Sequence, residues 1–255
     1  MRYTRVIFLG IVILVLFVLV VANIINVINS PSFMAKRLNL DSKKSIEKLV
    51  FRISYASFIP LGEVIMENKG VEELGGKRVY HIKAYAKPNK FFDFFRKVKV
   101  EVDSFIDEDT LLPIKFTQDL QIQGKPPERK VVIYHQSEQF MEIGGEKRVI
   151  YPPTYDPLSL FFSFLNRKAL KKGEVIDLNI NTNQKNYRLI AKVEESKKLY
   201  EKKIFWIRGE VKRRDGNLRH SSTFLMVMLD NPRLPIFIRV FSGLGFLSVS
   251  LVSVT

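Results

Sequence analysis

The sequence predicts a mainly β protein, a curved antiparallel sheet or partial barrel wrapped on one short helix, preceded by a single N-terminal transmembrane helix. Three observations predict it. An apolar run fills the N-terminus, period-two alternation of apolar and polar residues recurs through the rest of the chain, and one aromatic-rich segment breaks that alternation.

From Val6 to Ala22 there is no charged or strongly polar residue, and apolar character continues past Asn23 through Ile24, Ile25, Val27 and Ile28. About 20 apolar residues rising about 1.5 Å each span a hydrocarbon core of roughly 30 Å. A cleaved secretory signal is the alternative, but its apolar region is about 7 to 15 residues long and ends in a small-x-small site. Asn26 to Phe33 offer neither Ala nor Gly at the recognition positions. Residues 1–29 therefore read as an uncleaved anchor. Arg2 and Arg5 before it nearly balance Lys36, Arg37, Lys43 and Lys44 after it, so flanking charge leaves the orientation open. The short tail ahead of an export-like run favours a single-pass inner-membrane protein with its body in the periplasm.

Residues 30–48 form a polar tether, in which Pro31 stops the anchor and Asp41 or Ser42 can cap a short helix. A β-rich extracytoplasmic domain fills 49–255. Its alternation is explicit: Val98, Val100 and Val102 are separated by Lys99 and Glu101, and Ile114, Phe116, Leu120 and Ile122 alternate with polar residues. Tyr187, Leu189, Ala191 and Val193 share one face. Such strands bury one face and wet the other. Gly75-Gly76, Gly144-Gly145, Asp215-Gly216-Asn217 and Asp230-Asn231-Pro232 punctuate them with turn chemistry, which gives antiparallel hairpins and roughly ten to twelve strands.

Tyr155-Asp156-Pro157 opens the segment that breaks this pattern. Asp156 is placed to cap free amides, Pro157 suits the first helical position, and Leu158 to Arg167 read as a helix. Lys168, Lys171 and Lys172 lie toward its C-terminal end, with Gly173 available for termination. Its apolar residues surround most of the cylinder, so it must be covered on several sides, against the concave face of the sheet.

Four stretches of this sequence resemble a bacterial family of exported or envelope proteins known as domain of unknown function 3108. They are Phe58-Ile59-Pro60-Leu61-Gly62-Glu63; Ser104-Phe105-Ile106-Asp107 with Leu111-Leu112-Pro113; Tyr155-Asp156-Pro157-Leu158-Ser159-Leu160 with Gly173; and the run from Leu229 through Asp230-Asn231-Pro232 to Ile238. The resemblance implies a curved antiparallel sheet similar to that of periplasmic lipoprotein carriers, which hold acyl chains in the concavity. It supplies no catalytic residues.

The chain has no cysteine, which excludes structural disulfides, a thiolate nucleophile, cysteine-ligated zinc and lipidation of a lipobox cysteine. His81, His135 and His220 are far apart and lie in no metal-binding or hydrolase motif, and Asp107-Glu108-Asp109 reads as a solvated turn. No catalytic residue, metal or cofactor is expected, so the chain reads as a non-enzyme. Phe91, Phe92, Phe94 and Phe95, the helix residues Leu158, Phe161, Phe162, Phe164 and Leu165, and the single Trp206 are either ordinary core or an apolar ligand surface with the helix as its lid.

The formal net charge is +15, and Arg2 and Arg5 account for the anchor's share, leaving +13 (15 − 2) on the body. Lys168, Lys171, Lys172, Lys212, Arg213 and Arg214 are the candidates for attraction to an anionic membrane surface. Nucleic acid would suit the charge but not a periplasmic location. Two functions therefore compete: a domain that binds a lipid or other apolar or amphipathic ligand, and a non-catalytic scaffold that docks another envelope protein.

Overall fold

A computed structural model describes residues 46–89, 97–167, 170–182, 184–199, 202–214, 221–242 and 245–255. The predicted anchor and residues 30–45 of the tether lie outside the described residues, as do Phe91, Phe92, Phe94, Phe95, Lys168, His220 and the turn Asp215-Gly216-Asn217. Among the described residues no helix is long and apolar enough to cross a membrane.

The alternating segments form one fifteen-stranded sheet. Its first flank is β1 (Lys48–Tyr55), β2 (Ile59–Leu74), β3 (Lys77–Pro88), β4 (Val98–Asp107), β5 (Pro113–Ile122), β6 (Glu128–His135), β7 (Phe140–Ile143) and β8 (Glu146–Val149). After β9 (Thr154–Tyr155) and the helix α1 (Pro157–Asn166) come β10 (Val175–Thr182), β11 (Lys185–Leu199), β12 (Lys202–Arg213), β13 (Ser221–Leu229), β14 (Leu234–Ser242) and β15 (Gly245–Val254). The spatial order runs from β8 down to β1, then from β15 down to β9, so the first and last strands pair in the middle. Every pairing is antiparallel except the short β9–β10 contact. The sequence pattern undercounts the strands because β7, β8 and β9 are too short to show an alternation.

Gly75, Gly76, Gly144 and Gly145 adopt positive φ at the β2–β3 and β7–β8 turns, as their position in the sequence predicts. The two outer edges, β8 and β9, share no ladder. Side-chain amides stitch them instead: the Gln136 amide bonds both the N–H and the C=O of Thr154, Asn186 Nδ2 donates to Val149 O at 2.8 Å, and Asn179 Nδ2 donates to Tyr151 O at 2.7 Å. The sheet is therefore an open, strongly curved barrel closed by side chains.

Antiparallel register sorts the strand ends into two rims. One, the base, holds Lys48, the β2–β3 turn and the β13–β14 turn; the other, the mouth, holds the β1–β2 and β14–β15 turns with the ends of β3 and β12. The helix lies inside the curve toward the base. There Leu158 and Phe162 join Ile82, Ala84 and Ile106, and Phe164 joins Leu189, Phe205, Ile207 and Met226. Phe161 and Leu165 pack on Leu49, Phe51, Ile236 and Leu251. One short helix thus connects three of the four apolar clusters, and burying several aromatic side chains, each stabilising by about 1.5–3 kcal/mol, holds it there.

Candidate functional site

The helix begins at a polar knot. Asp156, fully buried in extended conformation, is the N-cap, and Pro157 occupies the first turn. One carboxylate oxygen accepts from Leu158 N at 2.8 Å and Ser159 N at 2.9 Å. The other accepts from Ser104 Oγ on β4 at 2.6 Å, while Ser159 Oγ accepts from Asp156 N at 2.9 Å to complete a capping box. Burial pushes the Asp156 carboxyl up to about 6, against the opposing pull of the Ser104 hydroxyl and the two amides. Tyr134, buried nearby on β6, is pushed well above its ordinary value by the same desolvation and by the Asp156 charge. The cap was legible in the sequence; its cross-strand partner Ser104, on the helix-facing side of β4, was not.

The helix ends at Asn166, earlier than Gly173 suggested. Gly173, at φ +85°, instead forms the turn into β10 and donates its N–H to Val193 O. Lys171 and Lys172 consequently sit in that turn, beyond the last turn of the helix.

Beside the helix, on the flank opposite β3 and β4, lies an apolar cavity of about 210 Å³. Pro157, Leu160, Phe161 and Phe164 form its helical wall; Leu189, Val211, Ser222, Phe224, Met226, Pro235, Ile238 and Val240 from β11 to β14 form the sheet wall. Ser222 is the single polar side chain among them. The far end of the Phe224 ring reaches over Gly209 of β12: a Cβ built there would stand 2.6 Å from Phe224 Cζ and 2.7 Å from Ile190 O. The missing side chain lets the ring retract against the sheet, which keeps the cavity open.

Above the helix the same concave face continues toward the mouth. Val98, Val100, Leu120 and Ile122 point inward in register with the buried Ser104 and the partly buried Phe116, and all four are only half-buried. At the rim, Ala86, Pro88, Val98 and Ile122 line a depression of about 580 Å³ together with Lys87, Lys97, Lys99 and Lys125.

Of the residues singled out from sequence, Phe161 and Phe164 line the cavity. Leu158 and Phe162 are sealed against β3 and β4, and Leu165 packs toward the base. Trp206 requires a correction. It alternates with the inward Phe205 and Ile207 and pairs with Val227, so it points away from the concavity and packs against the cluster of Val227 and Leu229. Leu189 of the sheet wall was read as part of an alternating face, but the wall of β12 to β14 escaped the sequence, although Ser222, Phe224 and Met226 show the period of two that could have found it.

The basic candidates separate into two groups. Lys212, Arg213 and Arg214 end β12 at the mouth, whereas Lys171 and Lys172 lie toward the base. His81 faces outward, where it bonds Asp103 at 2.8 Å and stacks on Phe105; His135 likewise stacks on Phe140. Asp107 accepts from Asp109 N, Thr110 N and Thr110 Oγ1, which makes its acidic cluster the solvated turn that the sequence predicts.

A family model described as "Protein of unknown function (DUF3108)" matches residues 50–252. No curated protein matches the chain. Among solved structures the chain is similar to the crystal structure of a beta-barrel-like protein of domain of unknown function DUF1849 from Brucella abortus. The TM-score is 0.53 at 9% identity, with 82% of this chain and 97% of that chain covered, a likeness of fold alone.

Proposed function

This chain belongs to the family described as "Protein of unknown function (DUF3108)", and from that premise we propose that it is a membrane-anchored envelope protein whose β domain holds a lipid, or another apolar or amphipathic ligand, in the concavity of its sheet. The observation that carries the proposal is the cavity of about 210 Å³ between α1 and β11–β14, walled by apolar side chains and one hydroxyl. Apolar cavities of about 150 Å³ stay dry and admit small hydrocarbons, so a space of this kind favours a methylene chain over water. None of its lining side chains is titratable, and binding rather than bond-making is the chemistry such a wall supports. The cavity's own sheet wall reaches toward the mouth through Val211, Ser222 and Val240, which lie near the mouth ends of β12, β13 and β14. Residues 1–29 hold the domain at the inner membrane, with the body in the periplasm.

Native mass spectrometry of the full chain, released from membranes in mild detergent and washed before analysis, tests the reading. The expected result is one acyl lipid retained per chain, lost in Phe161→Ser/Phe164→Ser and in the cavity-filling Ser222→Leu, whose thermal unfolding stays close to that of the unmodified protein. A ligand-free mass that persists after incubation with lipids overturns the proposal and transfers the function to a scaffold that docks another envelope protein.

A further inference from the structure

Five large apolar side chains stand 38–41% exposed at the mouth: Tyr55, Phe58 and Ile59 at the β1–β2 turn, and Phe241 and Leu247 beside the β14–β15 turn. The two turns are neighbours, because Ala56 N donates to Phe246 O at 2.9 Å. Along the same rim, Asn89 bonds Leu61 O through its backbone and Pro60 O through its side chain, which sets the end of β3 beside the apolar turn. Lys87 there, Lys97 at the start of β4 and Lys125 in the β5–β6 turn are exposed and form no ion pair among the described residues. Lys212 and Arg213 end β12 at this rim as well. Carboxylates stand at both rims, and those of the mouth are engaged by other cations: Glu63, the cross-strand neighbour of Lys87, lies 3.9 Å from Arg52, while Glu128 and Glu146 pair with Lys130 and Arg148 at 2.9 Å each.

Clustered apolar tips need a cover, and unpaired lysines beside them select one that is apolar within and anionic at its surface. We propose that the mouth docks on a bilayer containing anionic phospholipid, with Phe58, Ile59 and Leu247 in the interface and Lys87, Lys97 and Lys125 among the headgroup phosphates. The inference rests on the ligand reading above, since a mouth pressed to the bilayer lets an acyl chain reach the cavity without crossing water. The chain enters the domain at the base, beside Lys48. The 16 residues of 30–45 (45 − 30 + 1), at about 3.4 Å each, reach roughly 55 Å, further than the roughly 33 Å of a ten-residue strand. The anchored domain can therefore turn its mouth to the membrane that holds it.

The absence of cysteine makes each introduced thiol a unique label site. Ile59→Cys and Leu247→Cys, with Val71→Cys near the base as the control, carry an environment-sensitive nitrobenzoxadiazole dye on the full chain, reconstituted in phosphatidylcholine vesicles with or without phosphatidylglycerol. The expected result is a blue shift at 59 and 247, with quenching by doxyl-labelled lipid, only when phosphatidylglycerol is present, and no change at 71. Lys87→Glu/Lys125→Glu lowers the docked-to-undocked ratio roughly 30-fold or more. Emission at 59 and 247 that stays solvent-like, or that shifts equally without phosphatidylglycerol, overturns the proposal. Phe58→Ser/Ile59→Ser separates it from the ligand reading: that variant loses docking but keeps its co-purified lipid. Docking of an unmodified chain that retains no lipid would sink the ligand reading and leave the docking surface standing.

Discussion

Two halves of one concave face, built from the same strands, meet different fates. Toward the base, Ile82 and Ala84 of β3, Ile106 of β4 and Phe205 and Ile207 of β12 are sealed beneath α1 or against its neighbours. Toward the mouth, Ala86, Val98, Val100 and Val211 face the same way but remain half-buried. The residue types barely change along each strand. What changes is the second layer, because a ten-residue helix can cover only about 15 Å of a strand more than twice as long. The base is therefore a core that sets stability, and the mouth and the cavity beside the helix are apolar surface left for something else to cover.

Two isoleucines test that contrast most strongly. Ile82, 1% exposed, packs against Leu158 and Phe162 in the lower half, while Ile122 is half-buried at the rim depression. Ile82→Ala is expected to cost about 4 kcal/mol and Ile122→Ala about 1 kcal/mol, read as shifts of the denaturant midpoint at constant slope. Equal losses would show that the upper half is as well packed as the lower, and the distinction would fall.

The next effect sharpens the contrast from the polar side. Asp156 has its folded pKa raised to about 6 from 3.8, so its stabilising contribution is complete below pH 3.8 and is lost as pH rises through about 6. The total is roughly 3 kcal/mol, at 1.36 kcal/mol for each pKa unit. Asp156→Asn keeps an oxygen for the amides of Leu158 and Ser159 and cannot ionise. We expect it to match the parent near pH 4 and to exceed it by roughly 3 kcal/mol near pH 7.5 in thermal unfolding across that range. A variant weaker than the parent at pH 7.5 would mean that the charged hydrogen bonds outweigh the cost of burying the carboxylate.

Gly209 ranks third. An added methyl group meets the Phe224 ring and Ile190 O below 3 Å, so Gly209→Ala must move one of them, at about 2 kcal/mol. The ring is the mobile partner, and its free space is the cavity. Lipid retention should therefore fall along with stability, whereas Ile122→Ala, which makes no such intrusion, should leave retention in this cavity intact.

How much of this was legible beforehand follows the physics of each signal. The period of two in Val98–Val102 and in Tyr187–Val193 reports a face, and both sets do face inward together. Asp156-Pro157 reports a helix start because capping is local, and the start falls where the residues place it. The join between β1 and β15 had no local signature, since it pairs residues nearly the whole domain apart. Trp206 was misassigned because a lone aromatic residue carries no direction without the register of its strand. Whether the apolar interior is filled or open depends on the span of the covering helix, and alternation alone is silent on that.

The smallest stability effect is the most informative about the cavity. Ser222 is partly buried at its sheet wall, and exchanging its hydroxyl for a branched apolar side chain removes the one polar group among the lining residues while occupying part of the 210 Å³. Burial of the added methylenes stabilises and any crowding of Phe224 or Leu160 opposes, so Ser222→Leu should lie within about 1 kcal/mol of the parent. The consequence for the ligand is much larger than the consequence for the fold. A ligand that binds only the folded state raises the melting temperature by mass action, and at about 100 times its Kd it adds about 2.7 kcal/mol. Titrating a short-chain lipid should therefore raise the melting temperature of the parent progressively and leave that of Ser222→Leu flat. If both rise together, the lipid is held by the upper half of the face instead, and the same titration on Val100→Asp, a charge placed on the half-buried wall of β4, would locate it there.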